Sequence, residues 1–488
     1  MSSISFDNSY AKLPSNFYAK LQPKPVASPS LIKVNHKLAK SLGLDAAYLE
    51  NAEGVAILAG NQVPEGAEPL AMAYAGHQFG NFVPQLGDGR ANLLGEVLDN
   101  EGTRRDLQLK GAGPTPFSRM GDGRAALGPV LREYIVSEAM AALGVPTTRA
   151  LAAVTTGEPV VRENFQPGAI LTRVASSHIR VGTFQYFFAR EDITGLETLL
   201  THVINRHCPE AAFAERPALA LLDHVVEKQA KLIAKWVSLG FIHGVMNTDN
   251  MSIAGETIDY GPCAFLDTYE PSKHFSAVDQ NGRYAYQNQP AIGQWNLVRL
   301  AQCLLGMLDK DEDTALELAQ GSIDAYGEKF DAAFMTEFGK KLGLDEPQDG
   351  DKELVKDLLK RMAENQVDFT LMFRGLGELL NGGDGPAPLF KNPTAFEEWE
   401  EVWRERLATM NEGDDVIATR ILTANPAIIP RNHLVEEAIR AAEDNNDFSV
   451  FHALVEALET PFDDQPKGSK FTQPPEAQQI VHQTFCGT

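Results

Sequence analysis

Three oxygen-bearing side chains that suit a metal–nucleotide site lie close together near the middle of the chain. Asp249 and Asn250 are adjacent, and Asp259 completes a span of eleven positions. Mg²⁺ takes hard oxygen ligands, usually one or two carboxylates together with the phosphates of a substrate. The spacing therefore indicates a magnesium–nucleotide site. The alternative is that Asp249 and Asn250 form an ordinary turn and that Asp259 caps a helix or a turn.

The same stretch has the spacing of a protein-kinase catalytic loop but lacks the base of that loop. Kinases carry H-R-D-x-x-x-x-N followed by D-F-G, and the Asn and the second Asp hold metal ions. His243 and Asn250 are seven positions apart, as in that motif, and the Asp-Tyr-Gly at 259–261 can stand for D-F-G. Val245 occupies the position of the kinase base, so Asp249 is the nearest group able to accept a proton. The pattern predicts altered phosphate chemistry or lost chemistry.

Two local elements are expected to position these residues. A long amphipathic helix, predicted over 217–239, leads directly into the stretch. The segments 251–253 and 257–258 have the pattern of two short strands. A hairpin between them would bring Asn250 close to Asp259, as a shared metal ion requires.

Glycines and arginines in the first third of the chain indicate a phosphate-binding surface. The tetrapeptide Gly-Asp-Gly-Arg occurs at 87–90 and again at 121–124. Such a turn presents backbone N–H groups and a guanidinium to phosphate, although two ordinary hairpin turns would have the same sequence. Arg173 and Arg180 lie seven positions apart among apolar and small residues. They suit either bidentate phosphate contact or surface ion pairs.

A β-hairpin is predicted between these two glycine turns, with strands at Ala91–Leu98 and Arg104–Lys110. Alternation along the second strand points Lys110 away from the core face. Kinases use a strand lysine in this way to hold nucleotide phosphates. The alternative is a lysine that is simply solvated.

A helix predicted over 129–143 supplies two candidate partners for that lysine. Both Glu133 and Glu138 can form the strand-Lys to helix-Glu ion pair that kinases use. The sequence does not choose between them.

Composition limits the protein class and its partners. The 488 residues carry a net charge of −23, which opposes binding to nucleic acid or to an anionic membrane. No apolar run is long enough for a transmembrane helix, and the first residues lack a signal-peptide pattern. Four cysteines in a chain of this length indicate a reducing compartment, and the cytoplasm is expected.

The predicted fold class is α+β. Short strands are predicted before residue 185 at 150–156, 158–163 and 169–174, and helices predominate after it, including 314–326 and 331–342. The predicted organisation is an N-terminal extension (1–65), a β-rich N-lobe (66–185), a helical C-lobe (186–445) and a C-terminal tail (446–488).

Several longer motifs together resemble the selenoprotein O family. They are Tyr-Ala-Gly-His-Gln-Phe-Gly at 74–80, Pro-Gln-Leu-Gly-Asp-Gly-Arg at 84–90, Leu-Gln-Leu-Lys-Gly-Ala-Gly-Pro-Thr-Pro-Phe-Ser-Arg at 107–119, His-Gly-Val-Met-Asn-Thr-Asp-Asn-Met-Ser at 243–252, Ile-Asp-Tyr-Gly-Pro at 258–262 and Asn-Pro-Ala-Ile-Ile-Pro-Arg-Asn at 425–432. The resemblance extends over most of the chain and implies a bilobal protein-kinase-like fold.

The resemblance also implies an activity: transfer of AMP from ATP to Ser, Thr or Tyr hydroxyls of proteins. It implies Mg²⁺ or Mn²⁺ as the metal, and UMP transfer with manganese for some bacterial members. Two other readings stay open from the residues alone, a kinase that transfers the γ-phosphoryl group and a non-catalytic nucleotide-binding pseudokinase.

Site roles follow from the resemblance position by position. Asp249 resembles the catalytic base, Asn250 and Asp259 match the metal ligands, Lys110 matches the strand lysine and Glu133 its helix partner. The nucleotide-contacting positions implied in addition to Lys110 and Asp259 are Gly87, Gly89, Arg90, Asp122, Gly123, Arg173 and Arg180. Cys486 matches the near-terminal selenocysteine or cysteine of the family, and a disulfide with Cys263 is a hypothesis for oxidising conditions.

Overall fold

The computed structural model describes residues 4–466 and 468–485, and its fold is α+β, as predicted. The strands are β1 (Tyr18–Lys20), β2 (Ser30–Val34), β3 (Leu70–Met72), β4 (Gly76–Gln78), β5 (Asn81–Val83), β6 (Ala91–Leu98), β7 (Arg104–Lys110), β8 (Ala125–Ala126), β9 (Arg149–Val161), β10 (Phe165–Ala175), β11 (Phe241–Ile242) and β12 (Ala264–Phe265). The helices are α1 (His36–Ser41), α2 (Ala46–Glu50), α3 (Ala52–Leu58), α4 (Leu127–Ala142), α5 (Val181–Phe188), α6 (Ile193–His207), α7 (Pro217–Ser238), α8 (Gln289–Leu308), α9 (Glu312–Lys341), α10 (Asp351–Asn365), α11 (Phe369–Leu380), α12 (Thr394–Ala408), α13 (Asp414–Ala424), α14 (Asn432–Asn445) and α15 (Ser449–Ala457). None of these helices has the length and apolarity needed to cross a bilayer.

An antiparallel sheet of eight strands forms the N-terminal half, in the order β1-β3-β6-β7-β10-β9-β2 with β8 on β10. The predicted hairpin is confirmed, because Ala91 pairs with Lys110 across β6 and β7. The outer strands β1 and β2 both come from the first 65 residues, the stretch predicted as an extension. Arg173 on β10 pairs with Gln108 on β7, so the sheet register places Arg173 near Lys110.

Helix α4 packs across this sheet and presents different residues to its two sides. It contacts β9 and β10, and α14 and α15 pack against it as well. Leu131 and Ile135 are buried in the apolar cluster that these elements share. Helix α15, which lies in the predicted C-terminal tail, therefore supports the helix that carries Glu133.

The C-terminal half is built around α7, which packs against α8 and α9. The apolar face of α7 is buried, as its periodicity predicts. The helices predicted at 314–326 and 331–342 are a single helix, α9. Gly327 lies between them with open space where a Cβ would be. A glycine in a helix interior costs only about 1 kcal/mol relative to Ala, and the packing of α9 on α7 outweighs that cost.

Two predictions about strands are wrong: the hairpin expected at 251–258, and the division of 150–163 into two strands. The expected hairpin at 251–258 does not form, because Ser252 forms a β-bridge with Arg180 and Thr257 forms one with Thr147. These partners come from the N-terminal half, so the segment between Asn250 and Asp259 is held by long-range contacts. The two strands expected at 150–156 and 158–163 are one strand, β9, which continues through Gly157 at φ +70°.

Candidate active site

A cavity of about 700 Å³ lies between the sheet and the loops at 245–262. Its N-terminal wall includes Gly87, Gly89, Arg90, Lys110, Asp122, Gly123, Arg173 and Arg180. Its C-terminal wall includes Asp249, Asn250 and Asp259. The structure thus brings together in one cavity all the residues for which the sequence predicts contact with nucleotide or metal.

Asp259 is the anionic centre of a cluster of three cations. Its Oδ1 lies 2.6 Å from Arg173 Nη2 and 3.3 Å from Lys110 Nζ, and its Oδ2 lies 3.2 Å from Arg180 Nη2. Burial raises the pKa of the Asp259 carboxyl, but Arg173, Lys110 and Arg180 outweigh burial and hold that pKa well below its usual value. Asp259 adopts φ +63°, a strained backbone for a residue with a Cβ. The cluster therefore keeps Asp259 ionised at the floor of the cavity.

Glu133, and not Glu138, is the helix partner of Lys110. Glu133 Oε2 lies 2.5 Å from Lys110 Nζ, and Glu133 Oε1 accepts a hydrogen bond of 2.8 Å from Arg173 Nε. Glu138 instead accepts from Arg149 Nε at 2.9 Å and from Asn35 Nδ2 at 2.6 Å. The sequence does not say which glutamate pairs with Lys110; the rotation of α4 about its axis turns Glu133, and not Glu138, toward the lysine.

Substituting Glu133→Gln is expected to lower both stability and transfer activity. The carboxylate is buried and compensates Lys110 and Arg173, so its neutralisation is expected to cost about 3 kcal/mol in the free energy of unfolding. Activity is expected to fall at least tenfold because Lys110 loses its fixed position. Glu138→Gln is the matched control on the same helix, with a stability loss of about 1 kcal/mol and full activity. Urea unfolding and a transfer assay test the pair; equal activity of the two variants would contradict the assignment.

The two Gly-Asp-Gly-Arg turns do not share one conformation. In the first, Gly87 has φ +71° and a Cβ there would lie 2.3 Å from the Phe117 ring. In the second turn it is the third residue of the tetrapeptide, Gly123, that has a left-handed backbone, with φ +65°. The tetrapeptide repeat is therefore not a structural repeat.

The acidic residues of the two turns also differ in their surroundings. Asp88 is buried and lies 3.3 Å from Arg180, an arrangement that the sequence analysis missed. Asp122 is more exposed and pairs with Arg162 at 2.9 Å. Arg90 lines the cavity, and no carboxylate in the described residues lies within 4 Å of its guanidinium. Arg90 is thus a cation left for a ligand.

Asp249 lies in a 3-10 turn and is covered by the β4–β5 hairpin. Its Oδ2 accepts a hydrogen bond of 3.3 Å from Gln78 Nε2, and its Oδ1 is buried without a partner among the described residues. Burial raises the pKa of the Asp249 carboxyl to about 6. Backbone amides of His77 and Phe79 hold the hairpin in place by donating to Thr248 Oγ1 (2.7 Å) and Asn247 Oδ1 (3.1 Å). Gln78 is a site residue that sequence reasoning missed, although the motif at 74–80 contains it.

Gly76→Ala tests this close cover. A Cβ at Gly76 would lie 2.3 Å from Asp249 Oδ1, a distance that no real Cβ tolerates, so the carboxylate or the hairpin must move. Because small displacements of a reacting group are costly, we expect at least a tenfold loss of transfer activity. Gly306→Ala is the control, since that helical glycine has open space around it, and we expect unchanged activity and a gain of about 0.5–1 kcal/mol in stability. Wild-type activity in Gly76→Ala would contradict the geometry.

The segment that follows Asp259 is anchored by Arg132 on α4, which Asn432 holds in place, and by Thr484 near the end of the described chain. Arg132 on α4 donates to Asn432 Oδ1 (2.8 Å) and to the Cys263 carbonyl (3.4 Å). Thr484 donates through its amide to the Phe275 carbonyl (2.8 Å) and through Oγ1 to the Pro262 carbonyl (2.7 Å). The motif at 425–432 and the end of the described chain thus both hold this segment.

Of the two cysteines in the disulfide hypothesis, the structure describes Cys263. Cys263 is buried next to Pro262, behind the cavity wall. Cys486 lies outside the described residues, so the disulfide hypothesis stays a prediction.

The cavity offers oxygen donors that fit a hard divalent cation. The described residues contain no group of three His, Cys, Asp or Glu placed to hold a metal, but the predicted ligand set includes an amide. Asn250 donates its Nδ2–H to the Val245 carbonyl at 3.0 Å, which fixes the amide and leaves its oxygen as a donor. Together with the ionised Asp259 carboxylate, this oxygen fits Mg²⁺ or Mn²⁺, which complete their shells with water and phosphate.

Comparison with known proteins identifies the family. The sequence model of the family described as protein adenylyltransferase SelO matches residues 1–459. The chain is 60% identical over 494 residues to the protein nucleotidyltransferase YdiU of Methylorubrum extorquens, covering 99% of both chains. It is 58% identical over 488 residues to the YdiU protein nucleotidyltransferase of Rhizobium rhizogenes, covering 99% of this chain and 97% of that protein. The chain therefore belongs to the SelO family of protein adenylyltransferases, and it is a protein nucleotidyltransferase.

Proposed function

We propose that this enzyme transfers AMP from ATP to Ser, Thr or Tyr hydroxyls of proteins, with Mg²⁺ or Mn²⁺. The observation that carries the proposal is the buried Asp249 carboxylate, whose Oδ1 has no partner among the described residues and which shares a cavity with a cationic cluster. A base for a hydroxyl and cations for phosphates therefore line the same space. The relatives named as protein nucleotidyltransferases support the same class of reaction.

In the proposed reaction the acceptor oxygen attacks the α-phosphorus of ATP, and Asp249 takes the hydroxyl proton. The bond between the α-phosphorus and the bridging oxygen breaks, and its electron pair leaves with pyrophosphate. Lys110 and Arg90 stabilise the phosphate charge, and Arg180, held by Asp88 and Asp259, keeps Asp259 in place. Asn250 and Asp259 would hold the divalent cation, which would neutralise phosphate charge when bound.

The position of the base favours adenylyl transfer over kinase chemistry. Val245 stands where a kinase has its catalytic Asp, and its side chain has no group that accepts a proton. We further propose that the sheet half and the helical half are the two lobes of a kinase-like fold. A cytoplasmic location, in keeping with four cysteines in 488 residues, is part of the same proposal.

The test is the fate of the label when ATP carries ³²P at the α or at the γ phosphate. The purified enzyme is incubated with Mg²⁺ or Mn²⁺ and a lysate as a source of acceptors, and proteins are resolved by electrophoresis. Label from α-labelled ATP alone is the expected result. Label from the γ position alone would mean a kinase with Asp249 as substitute base, and binding of ATP without label would mean a nucleotide-binding scaffold. A parallel assay with α-labelled UTP tests UMP transfer.

A further inference from the structure

A cationic aromatic patch lies on the surface beside the cavity. We define the Trp295 patch as Arg283, Trp295, Arg299, His77 and Phe82. The Cζ atoms of Arg283 and Arg299 lie 4.9 and 4.7 Å from the Trp295 ring centroid. The His77 ring contacts both Trp295 (5.3 Å between centroids) and Phe82 (4.9 Å). The patch therefore joins the β4–β5 hairpin, the segment before α8 and α8 itself.

The two guanidiniums of this patch have no acidic partner among residues 4–466 and 468–485. Among the described residues, no Asp or Glu oxygen lies within 4 Å of Arg283 or Arg299, whereas Arg173 and Arg180 are both paired. The Nε atoms of Arg283 and Arg299 are buried and make no hydrogen bond in the described structure. The nearby Asp279 accepts instead from the backbone amides of Arg283 (2.9 Å) and Tyr284 (2.8 Å).

The patch lies one residue away from the group that contacts the proposed base. Gln78 donates to Asp249, and its neighbour His77 packs edge-on against Trp295 in the patch. Thr248, beside Asp249, accepts from the His77 amide. Phe82 in the patch and Val278 at the cavity wall are 41% and 65% exposed, so the surface next to the base is apolar as well as cationic.

We propose that the Trp295 patch binds acidic side chains that flank the target hydroxyl of the acceptor protein. This inference rests on the proposed function, because it assigns a sequence preference to that reaction. A guanidinium whose face lies against an indole can still offer its two Nη groups to a carboxylate, even where its Nε is buried. The same charges would repel a metal ion. The enzyme has a net charge of −23, so an acidic acceptor needs a local cationic contact to approach the cavity.

The nucleotide itself is a poorer occupant of this patch. Its phosphates have Lys110 and Arg90 inside the cavity, where Asp249 and Asp259 also lie. The patch lies instead outside this group of residues, next to Gln78, the hairpin residue that contacts Asp249 at the cavity wall.

The experiment compares two fluorescein-labelled peptides of equal length, each with one central Ser. One has Glu at the flanking positions and the other has Gln. The dissociation constant of each peptide is measured by fluorescence anisotropy without ATP, at low and at high salt. The full-length proteins compared are the wild type, R283Q/R299Q, the charge-conserving R283K/R299K, and R404Q. Arg404 is the matched control, because it lies over Trp403 (5.9 Å) and pairs with Glu400 on α12.

The wild type and R404Q are expected to bind the Glu peptide about tenfold more tightly than the Gln peptide at low salt, with a preference that shrinks at high salt. The preference is expected to vanish in R283Q/R299Q and to survive in part in R283K/R299K. Equal binding of the two peptides by the wild type, or an undiminished preference in R283Q/R299Q, would overturn the inference. An arginine-dependent preference without transfer of label from α-labelled ATP would support the patch and refute the proposed reaction.

Discussion

Asp259→Asn is expected to remove nucleotidyl transfer almost completely, by about a thousandfold. The carboxylate compensates Arg173, Arg180 and Lys110 at once, and a neutral amide cannot do so. Without it, the three cations repel one another and the proposed metal site loses its charged ligand. We expect a stability loss of about 2 kcal/mol, less than for an isolated buried pair, because Glu133 and Asp88 still pair with the two arginines.

The measurements are initial rates with α-labelled ATP and urea unfolding of the same preparations. Asp331→Asn is the control, since Asp331 pairs with Lys352 on the surface and is 52% exposed. That variant is expected to keep full activity and to lose no more than about 1 kcal/mol. An Asp259→Asn enzyme with more than a tenth of wild-type activity would show that the carboxylate is not at the centre of the chemistry.

Asp249→Asn is expected to lose about a thousandfold in transfer rate while still binding ATP, because a general base contributes roughly 10²–10⁴-fold. Its effect on stability has the opposite sign from that of Asp259→Asn. The Asp249 carboxylate is buried with one oxygen unpartnered, so the folded protein bears the cost of burying that charge. A neutral amide of the same shape removes this cost, and we expect the free energy of unfolding of Asp249→Asn to exceed that of the wild type by about 1 kcal/mol.

Isothermal titration with ATP, the transfer assay and thermal unfolding together test this pattern. Asn250 is adjacent on the same 3-10 turn, and Asn250→Asp serves as a shape-matched comparison. An Asp249→Asn protein that is active, or one that is inactive only because it no longer binds ATP, would contradict the role of base. A loss of stability would contradict the burial argument.

The elements that carry Lys110 and Glu133 can be predicted from the sequence, because each is formed by residues that are close together in the chain. The β6–β7 hairpin and α4 are defined by alternation and helical periodicity within a few residues. The choice of Glu133 over Glu138 is not local, since it depends on how α4 rotates against β9 and β10. One helix pattern is compatible with either glutamate facing the strand lysine.

The parts of the site that the sequence analysis missed are all made by long-range pairing. Gln78 meets Asp249 across 171 positions, and Asp88 meets Arg180 across 92. The hairpin expected at 251–258 fails for the same reason, because its residues pair with Arg180 and Thr147 instead of with each other. The sequence of a short apolar segment does not determine which strand it pairs with, because its pairing depends on the neighbours that the folded protein places beside it.

The hydrogen bonds of Thr484 to Phe275 and Pro262 have a consequence for biosynthesis. Translation delivers the segment after Asp259 more than two hundred residues before Thr484. A chain still on the ribosome can fold its sheet and its central helices first, as domains commonly do. The segment next to the cavity, however, gains its hydrogen bonds to Thr484 only when residue 484 has been made. A translation product that stops shortly before residue 484 therefore keeps the cavity residues and the Arg132 contact but lacks the two Thr484 hydrogen bonds to this segment.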